Sequence, residues 1–345
     1  MVLLRCAFVC CVLILLARAV PAAESLTFSG DVRVRNESLL RSGSFSPRDD
    51  INRARVRARI ALNAKLDGNW YVGLRLATWG GTTSANQDLD VLNDKAEMYL
   101  DRAFAMFRSD EKEYFSVLAG RSPNPYLHSP MMWDSDYNPD GLIERLDFKR
   151  GGTDFFLNLG QHVLGLEANK NYGPVFYGAQ PGFSMKRDWG ILKGAIAYYM
   201  FVHAGGTNDV PVESDYTVAD LYLCFKRDLR PDIPFSVWID AFKNTEATGD
   251  ALAYGIGTSI GSSEGRGKFK GKLAYMSIDA DALWINLGDA NFSSGLRDED
   301  MHGFVLGTNV GVGDRAIFGV TWYYKEARNS DAHEDQIETD LVLKF

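Results

Sequence analysis

Asn52-Arg-Ala-Arg-Val-Arg-Ala-Arg-Ile-Ala-Leu-Asn-Ala-Lys-Leu66 alternates without a break. Ala54, Val56, Ala58, Ile60, Leu62, Ala64 and Leu66 fall on one side. Arg53, Arg55, Arg57, Arg59, Asn63 and Lys65 fall on the other, with Ala61 the one small residue among them. Period two is the strand period, because successive side chains point to opposite faces. A helix would scatter the arginines around its circumference. The stretch is therefore a long strand with one apolar and one strongly basic face. A soluble sheet would bury the apolar face under another layer. A transmembrane barrel would turn it to lipid and line a lumen with the arginines. The strand exceeds the roughly 9–11 tilted residues that cross a bilayer.

The ends of the chain favour the barrel. Met1 to Ala23 has an early Arg5, an apolar run from Ala7 to Leu16 and small residues at Pro21-Ala22-Ala23. This pattern predicts a secretory signal peptide over residues 1–23, leaving a barrel domain over 24–345. Cys224 is the one cysteine outside that leader, so an intrachain disulfide is excluded. At the other end Ile337, Thr339, Leu341, Leu343 and Phe345 alternate with Gln336, Glu338, Asp340 and Lys344, Val342 being the exception on the polar side. A last strand ending on Phe resembles the terminal strand of bacterial outer-membrane barrels.

The 345 residues carry a formal net charge of −8, which argues against general nucleic-acid binding. Beyond the leader no stretch approaches the roughly 20 apolar residues of a membrane helix. Only a closed barrel then satisfies backbone groups in lipid. The 12% aromatic content suits a barrel with interfacial girdles. Alternation and turn signals predict an all-β antiparallel barrel of about 16 strands, with 14 or 18 as alternatives if Leu283–Leu287 adds a strand. The expected strands lie near 26–35, 52–66, 70–78, 98–107, 114–121, 142–149, 153–165, 175–185, 191–202, 217–226, 235–243, 251–261, 268–277, 303–312, 316–325 and 336–345. The weakest is 98–107, where Asp101 and Arg102 fall on opposite faces. Long polar connections alternate with short ones, as in outer-membrane proteins. At this size the lumen should hold water.

The catalytic and metal motifs are weak. Gly257-Thr-Ser259-Ile-Gly261 matches a nucleophile elbow, but its serine sits inside an alternating strand rather than a strand-to-helix turn. Asp134-Ser-Asp136-Tyr-Asn138-Pro-Asp140-Gly141 has carboxylates spaced like a calcium loop, yet Pro139 and Arg145 stand where an EF-hand needs glycine and glutamate. His128, His162, His203 and His302 lack ligand spacing, and His333 is in a polar stretch. No cofactor, metal or catalytic residue is expected. Lys268, Lys270 and Lys272 repeat the opening pattern, with Phe269, Gly271 and Leu273 opposite.

Gly120-Arg121-Ser-Pro-Asn124-Pro125 and Trp133-Asp134-Ser-Asp136-Tyr-Asn138-Pro139-Asp140-Gly141, with the arginine strand and Leu100-Asp101-Arg102-Ala103, resemble the putative porin family of Gram-negative outer membranes. The likeness is clearest from Gly30 to Gly141. It implies an outer-membrane porin, a water-filled channel for passive diffusion of small hydrophilic solutes or ions. Its partners would be outer-membrane lipid, small hydrophilic solutes and further copies of the chain, as in a trimer. Alternatives are a substrate-specific outer-membrane channel for sugars or organic acids, with Tyr198, Tyr199, Trp238, Trp322 and Tyr324 as an aromatic track, and an outer-membrane barrel enzyme. Arg33, Arg35, Arg53, Arg55, Arg57, Arg59, Lys268, Lys270 and Lys272 are the expected pore-lining residues. In resembling sixteen-strand porins the third long loop folds into the lumen. By that analogy residues 122–141 form a constriction, with Arg121, Trp133, Asp134, Asp136 and Asp140 as its candidates. Prolines 125, 130 and 139 would stiffen it. The arginine wall is expected to favour anions.

Overall fold

The arginine stretch forms a strand over Ile51–Lys65, and every other strand joins the same sheet. The computed structural model describes residues 23–345 apart from 46–49, 67, 80–83, 90–96, 110–113, 165–174, 203–215, 250, 284–286, 289 and 294–299. The expected leader thus lies outside the described residues, all but its last position. In chain order the strands are β1 (Ser25–Ser42), β2 (Ile51–Lys65), β3 (Trp70–Thr78), β4 (Gln87–Asp88), β5 (Met98–Arg108), β6 (Tyr114–Arg121), β7 (Asp140–Arg150), β8 (Thr153–Val163) and β9 (Val175–Arg187). They continue with β10 (Gly190–Val202), β11 (Tyr216–Arg230), β12 (Ile233–Asn244), β13 (Leu252–Gly261), β14 (Phe269–Ile278), β15 (Met301–Gly311), β16 (Ala316–Ala327) and β17 (His333–Lys344). Apart from the two-residue β4, sixteen strands pair antiparallel with their neighbours, and β17 closes on β1. The all-β transmembrane barrel of sixteen strands is the expected fold. Closure leaves no sheet edge in lipid.

The expected alternation fixes which face is which. Phe28, Val34, Ile196, Ile256, Leu306 and Leu341 are exposed on the outside. Aromatic rings mark two belts on that face. Near the short turns lie the pairs Phe28–Phe345, Trp70–Phe107, Phe148–Phe155 and Trp189–Phe225. Near the long connections lie Trp79–Tyr99, Tyr254–Tyr275, Tyr275–Phe304 and Trp322–Tyr324. Amphipathic rings favour both membrane interfaces. The two-residue turn Gly151-Gly152 between β7 and β8 has positive φ at both residues (57° and 72°), as a type I′ hairpin requires.

Several strands differ in detail from the sequence expectation. β1 runs on to Ser42, and β17 starts at His333 rather than 336. Glu37 and Arg41 make this possible, since each finds an ionic partner across the extension. The conflict in β5 disappears through a bulge. Arg75 pairs with Arg102 and Leu76 with Leu100, so Asp101 is an extra residue. Asp101 then bonds Arg75, and Arg102 Nε donates to Asn138 Oδ1 at 2.7 Å. Residues 283 and 287 belong to no strand. They lie in an inward-folded connection that ends in α1 (Ala290–Ser293).

Candidate functional site

The inner faces of β1 and β2 carry the arginine ladder, and carboxylates on β1, β4 and β17 interleave with it. Arg35 donates to Asp340 at 2.7 Å through both Nε and one terminal nitrogen, and also pairs with Glu338. Glu37 accepts from Arg53 at 2.7 Å and from Arg55 at 3.2 Å. Asp88, brought over by β4, takes Arg53 at 3.0 Å and Arg55 at 2.6 Å. Asp31 accepts from Arg57 at 2.8 Å and Arg59 at 2.7 Å. Arg33 bonds the Asn86 amide instead. Like charges on adjacent strands in a partly dehydrated wall repel by several kcal/mol at an effective dielectric near 20, so interleaved carboxylates are what let the ladder exist. Arg35, Arg55 and Arg57 are buried, each less than a tenth exposed. The sequence shows the arginines, but not that their charge is largely cancelled.

Residues 122–139 touch strands all around the inner wall. Arg59 reaches Asp136 at 3.2 Å from β2, while Asn138 bonds Asp101 at 2.9 Å on β5. The Tyr126 hydroxyl and His162 Nε2 on β8 are 2.9 Å apart. Gln180 on β9 accepts from Leu127 N and donates back to Leu127 O, both at 2.8 Å. Asp240 on β12 accepts from Ser129 N at 3.0 Å. A segment bonded to β2, β5, β8, β9 and β12 from their inward faces crosses the barrel interior. Its centre is Met131-Met132-Trp133, fully buried, with the Trp133 ring 5.3–6.0 Å from Tyr126, Tyr137, Phe176 and Tyr199. Prolines 123, 125, 130 and 139 restrict this path. Glycines 160 and 178 make room for it, because a Cβ at either would strike the Tyr126 hydroxyl.

The candidate acids separate. Asp136 meets Arg57 and Arg59, and Asp134 Oδ1 caps Asp136 N at 2.7 Å. Asp140 instead pairs with Arg121 at 2.6 Å where β6 ends and β7 begins, both half-exposed. That pair stays apart from the ladder. The three acids of the calcium-like spacing thus turn to different partners.

A second connection also folds inward, unmarked by any periodicity in the sequence. Leu287, Phe292 and Ala282 are buried, and Leu287 O accepts from Asp134 N at 2.6 Å. Lys325, fully buried on β16, holds Asn291 O at 2.8 Å and pairs with buried Glu334. The two inward segments therefore brace one another.

The turn side of the lumen carries the lysines and two cavities. Lys270 and Lys272 point inward from β14, while Lys268 sits exposed in the preceding turn. Lys270 lines a cavity of about 950 Å³ with Lys186, Lys226, Ser236, Ser259 and Asn309. A second cavity of about 620 Å³ lies beside Pro125, Tyr126, Arg145, Asp147 and Lys193.

The aromatic residues form no track. Tyr198, Trp322 and Tyr324 lie on the outward side, while Tyr199 is enclosed under Trp133 and Trp238 borders the core. Ser259 is bound to Ser236 at 2.9 Å inside β13 and β12. At the opposite rim, Ser42 contacts both ring nitrogens of His333, a side-on approach rather than a line from nucleophile to base. Among the described residues no carboxylate bonds that imidazole.

Burial pushes the His128 imidazole below its usual 6.5, outweighing its hydrogen bond to Ser129 O and the nearby Asp240 carboxylate. The docked segment prefers neutral His128. Docking is therefore at full strength above pH 6.5 and weakens as pH falls below it, when the undocked imidazole takes a proton. Single channels should show more open-state noise at pH 5 than at pH 7.5, and His128→Gln should remove the difference. Noise that rises toward high pH, or survives in His128→Gln, would contradict this sign.

Residues 41–231 match the family model described as Putative porin. No curated protein matches the sequence. Among solved structures the chain is similar to OprB of Pseudomonas putida, at 12% identity and a TM-score of 0.62 over 95% of this chain and 96% of that one. It is also similar to Salmonella typhi OmpF in complex with daunomycin, at 12% and 0.60 over 94% and 99%. A Rh. blastica porin mutant aligns at 11% and 0.52 over 93% and 100%. These likenesses show a shared barrel. The family match, spanning more than half of a chain that closes into a sixteen-strand barrel with a lipid-type exterior, places the protein in the Putative porin family, as an outer-membrane channel.

Proposed function

We propose that this channel passes small hydrophilic solutes by passive diffusion and performs no catalysis. In this reading residues 122–139 set its narrowest cross-section. The observation that carries the reading is the attachment of that segment to both the β2 wall and the β12 wall. Asp136 and the more accessible ladder arginines, Arg53 and Arg59, would flank the solute path. The buried Arg35, Arg55 and Arg57 would hold the wall in shape. Residues 1–23 would direct export to the outer membrane and be removed. The shared barrel fold supports a homo-oligomer such as a trimer, which cross-linking in mild detergent would detect.

Purified protein in liposomes should let neutral sugars pass at rates that fall smoothly with size. Planar bilayers should show steady ohmic steps. Absence of any conductance would overturn the reading. One sugar passing much faster than its isomers would favour the substrate-specific channel instead. The broken aromatic track argues against that alternative.

A further inference from the structure

The ladder is compensated, but the opposite arc of the turn-side lumen is not. Lys186, Lys193 and Lys226 face inward from β9, β10 and β11. Lys193 lies opposite Ser184 and Cys224, so Lys186 and Lys226 are its diagonal neighbours, about 7–8 Å away along the sheet. The row continues from Lys226 to Ser236, Ser259 and Lys272. Among the described residues no carboxylate lies within 4 Å of Lys186, Lys193, Lys226 or Lys270, whereas most carboxylates of the ladder side are already paired. The acids bordering the 950 Å³ cavity are Asp188, Asp228 and Glu264, and Glu264 is drawn to Lys344 at 3.4 Å. Lys186, Arg187, Lys226, Arg227, Lys270 and Lys344 outnumber them. Glycine shapes the wall here, since a Cβ at Gly307 would collide with the Lys272 side chain, which lies across it with Nζ 5.8 Å from the Tyr323 ring centroid.

Ammonium groups held this close need mobile counter-anions. A low-dielectric wall focuses their field into the cavity. A doubly charged anion gains twice what chloride gains from that field. The Ser236 and Ser259 hydroxyls and the Asn309 amide add short polar contacts suited to oxygen atoms. The cavity has the volume of a small-ligand site.

We propose that this lysine–hydroxyl arc is a transit site for phosphate-bearing solutes, taken in preference to chloride. The proposal rests on the channel reading above. It would also place anion preference on the lysines rather than on the arginine ladder.

The test is a planar-bilayer recording in about 0.1 M KCl at pH 8, where the Debye length is near 10 Å and lumenal fields persist. Inorganic phosphate added to both sides should block the chloride current saturably. Lys226→Gln/Lys270→Gln should raise the half-blocking concentration by about tenfold, while Lys65→Gln, at the rim beside Glu24, should leave it unchanged. Heat-modifiable migration of each variant on a gel shows that the barrel has formed. A conducting wild-type channel that phosphate does not block would overturn the site while leaving the channel intact. Equal block in the double variant would overturn it too. A wild-type protein that conducts nothing would instead remove the channel reading on which the site rests.

Discussion

Trp133→Ala should raise single-channel conductance and make it fluctuate. The indole is fully enclosed among Tyr126, Tyr137, Phe176 and Tyr199. Truncating a buried tryptophan costs about 3–5 kcal/mol. That cost falls on docking of residues 122–139, because sixteen strands hold the barrel through their own ladders. The remaining anchors, all present already in the wild type, are the Asp136–Arg59 ion pair and hydrogen bonds such as Leu127 N to Gln180, worth about 1 kcal/mol net, and Ser129 N to the Asp240 carboxylate, worth about 1.5–3 kcal/mol. They do not offset the loss, so the segment should spend time away from the wall. Trp133→Phe should keep most of the wild-type behaviour. Conductance and noise unchanged in Trp133→Ala would mean that the segment does not set the narrowest point.

The second large effect concerns the lipid face. Leu341 is exposed on the outside of β17, and Val342 beside it lines the turn-side cavity. An arginine facing lipid near the midplane costs roughly 2–4 kcal/mol. Leu341→Arg should therefore impair assembly strongly, whereas Val342→Glu, opposite Arg33 on the lumen side, should fold, read as the heat-modifiable band. Asp340→Arg, on the same inward face, is a poor comparison. It removes the carboxylate that binds Arg35 and sets two guanidinium groups side by side. Similar yields of Leu341→Arg and Val342→Glu would show that the two faces of β17 are assigned wrongly.

The strands were legible because lipid and water impose period two on nearly every one of them. Arg53 to Arg59 and Ile337 to Phe345 state it openly. Val342, the exception on the polar side, was legible only as an anomaly until the cavity beside it was located. What stayed hidden depends on partners far away in the chain. Arg35 meets Glu338 across 303 positions. Asp88 reaches the ladder through a two-residue strand too short for any period to reveal. The anchors of the inward segment, His162, Gln180 and Asp240, stand on three different strands and look like ordinary polar lumen residues. Asp101 and Arg102 conflicted because an alternation count has no place for a bulge. The lysines were visible as a local triplet, Lys268 to Lys272. Their arc was not, since Lys186, Lys193 and Lys226 become neighbours only through strand pairing.

The seam between β1 and β17 bears on how the molecule is made. Arg35 lies opposite Asp340 and pairs with it and with Glu338, and Arg41 pairs with Glu334, so β1 is matched in charge to β17. Of the early arginines, Arg35 and Arg41 take their nearest carboxylates from β17, whereas Arg53 to Arg59 are served by β1 and β4. A closure one residue out of step would turn Arg35 toward lipid and strand its carboxylate partners. The salt-bridged seam thus favours closure of the barrel in a single register.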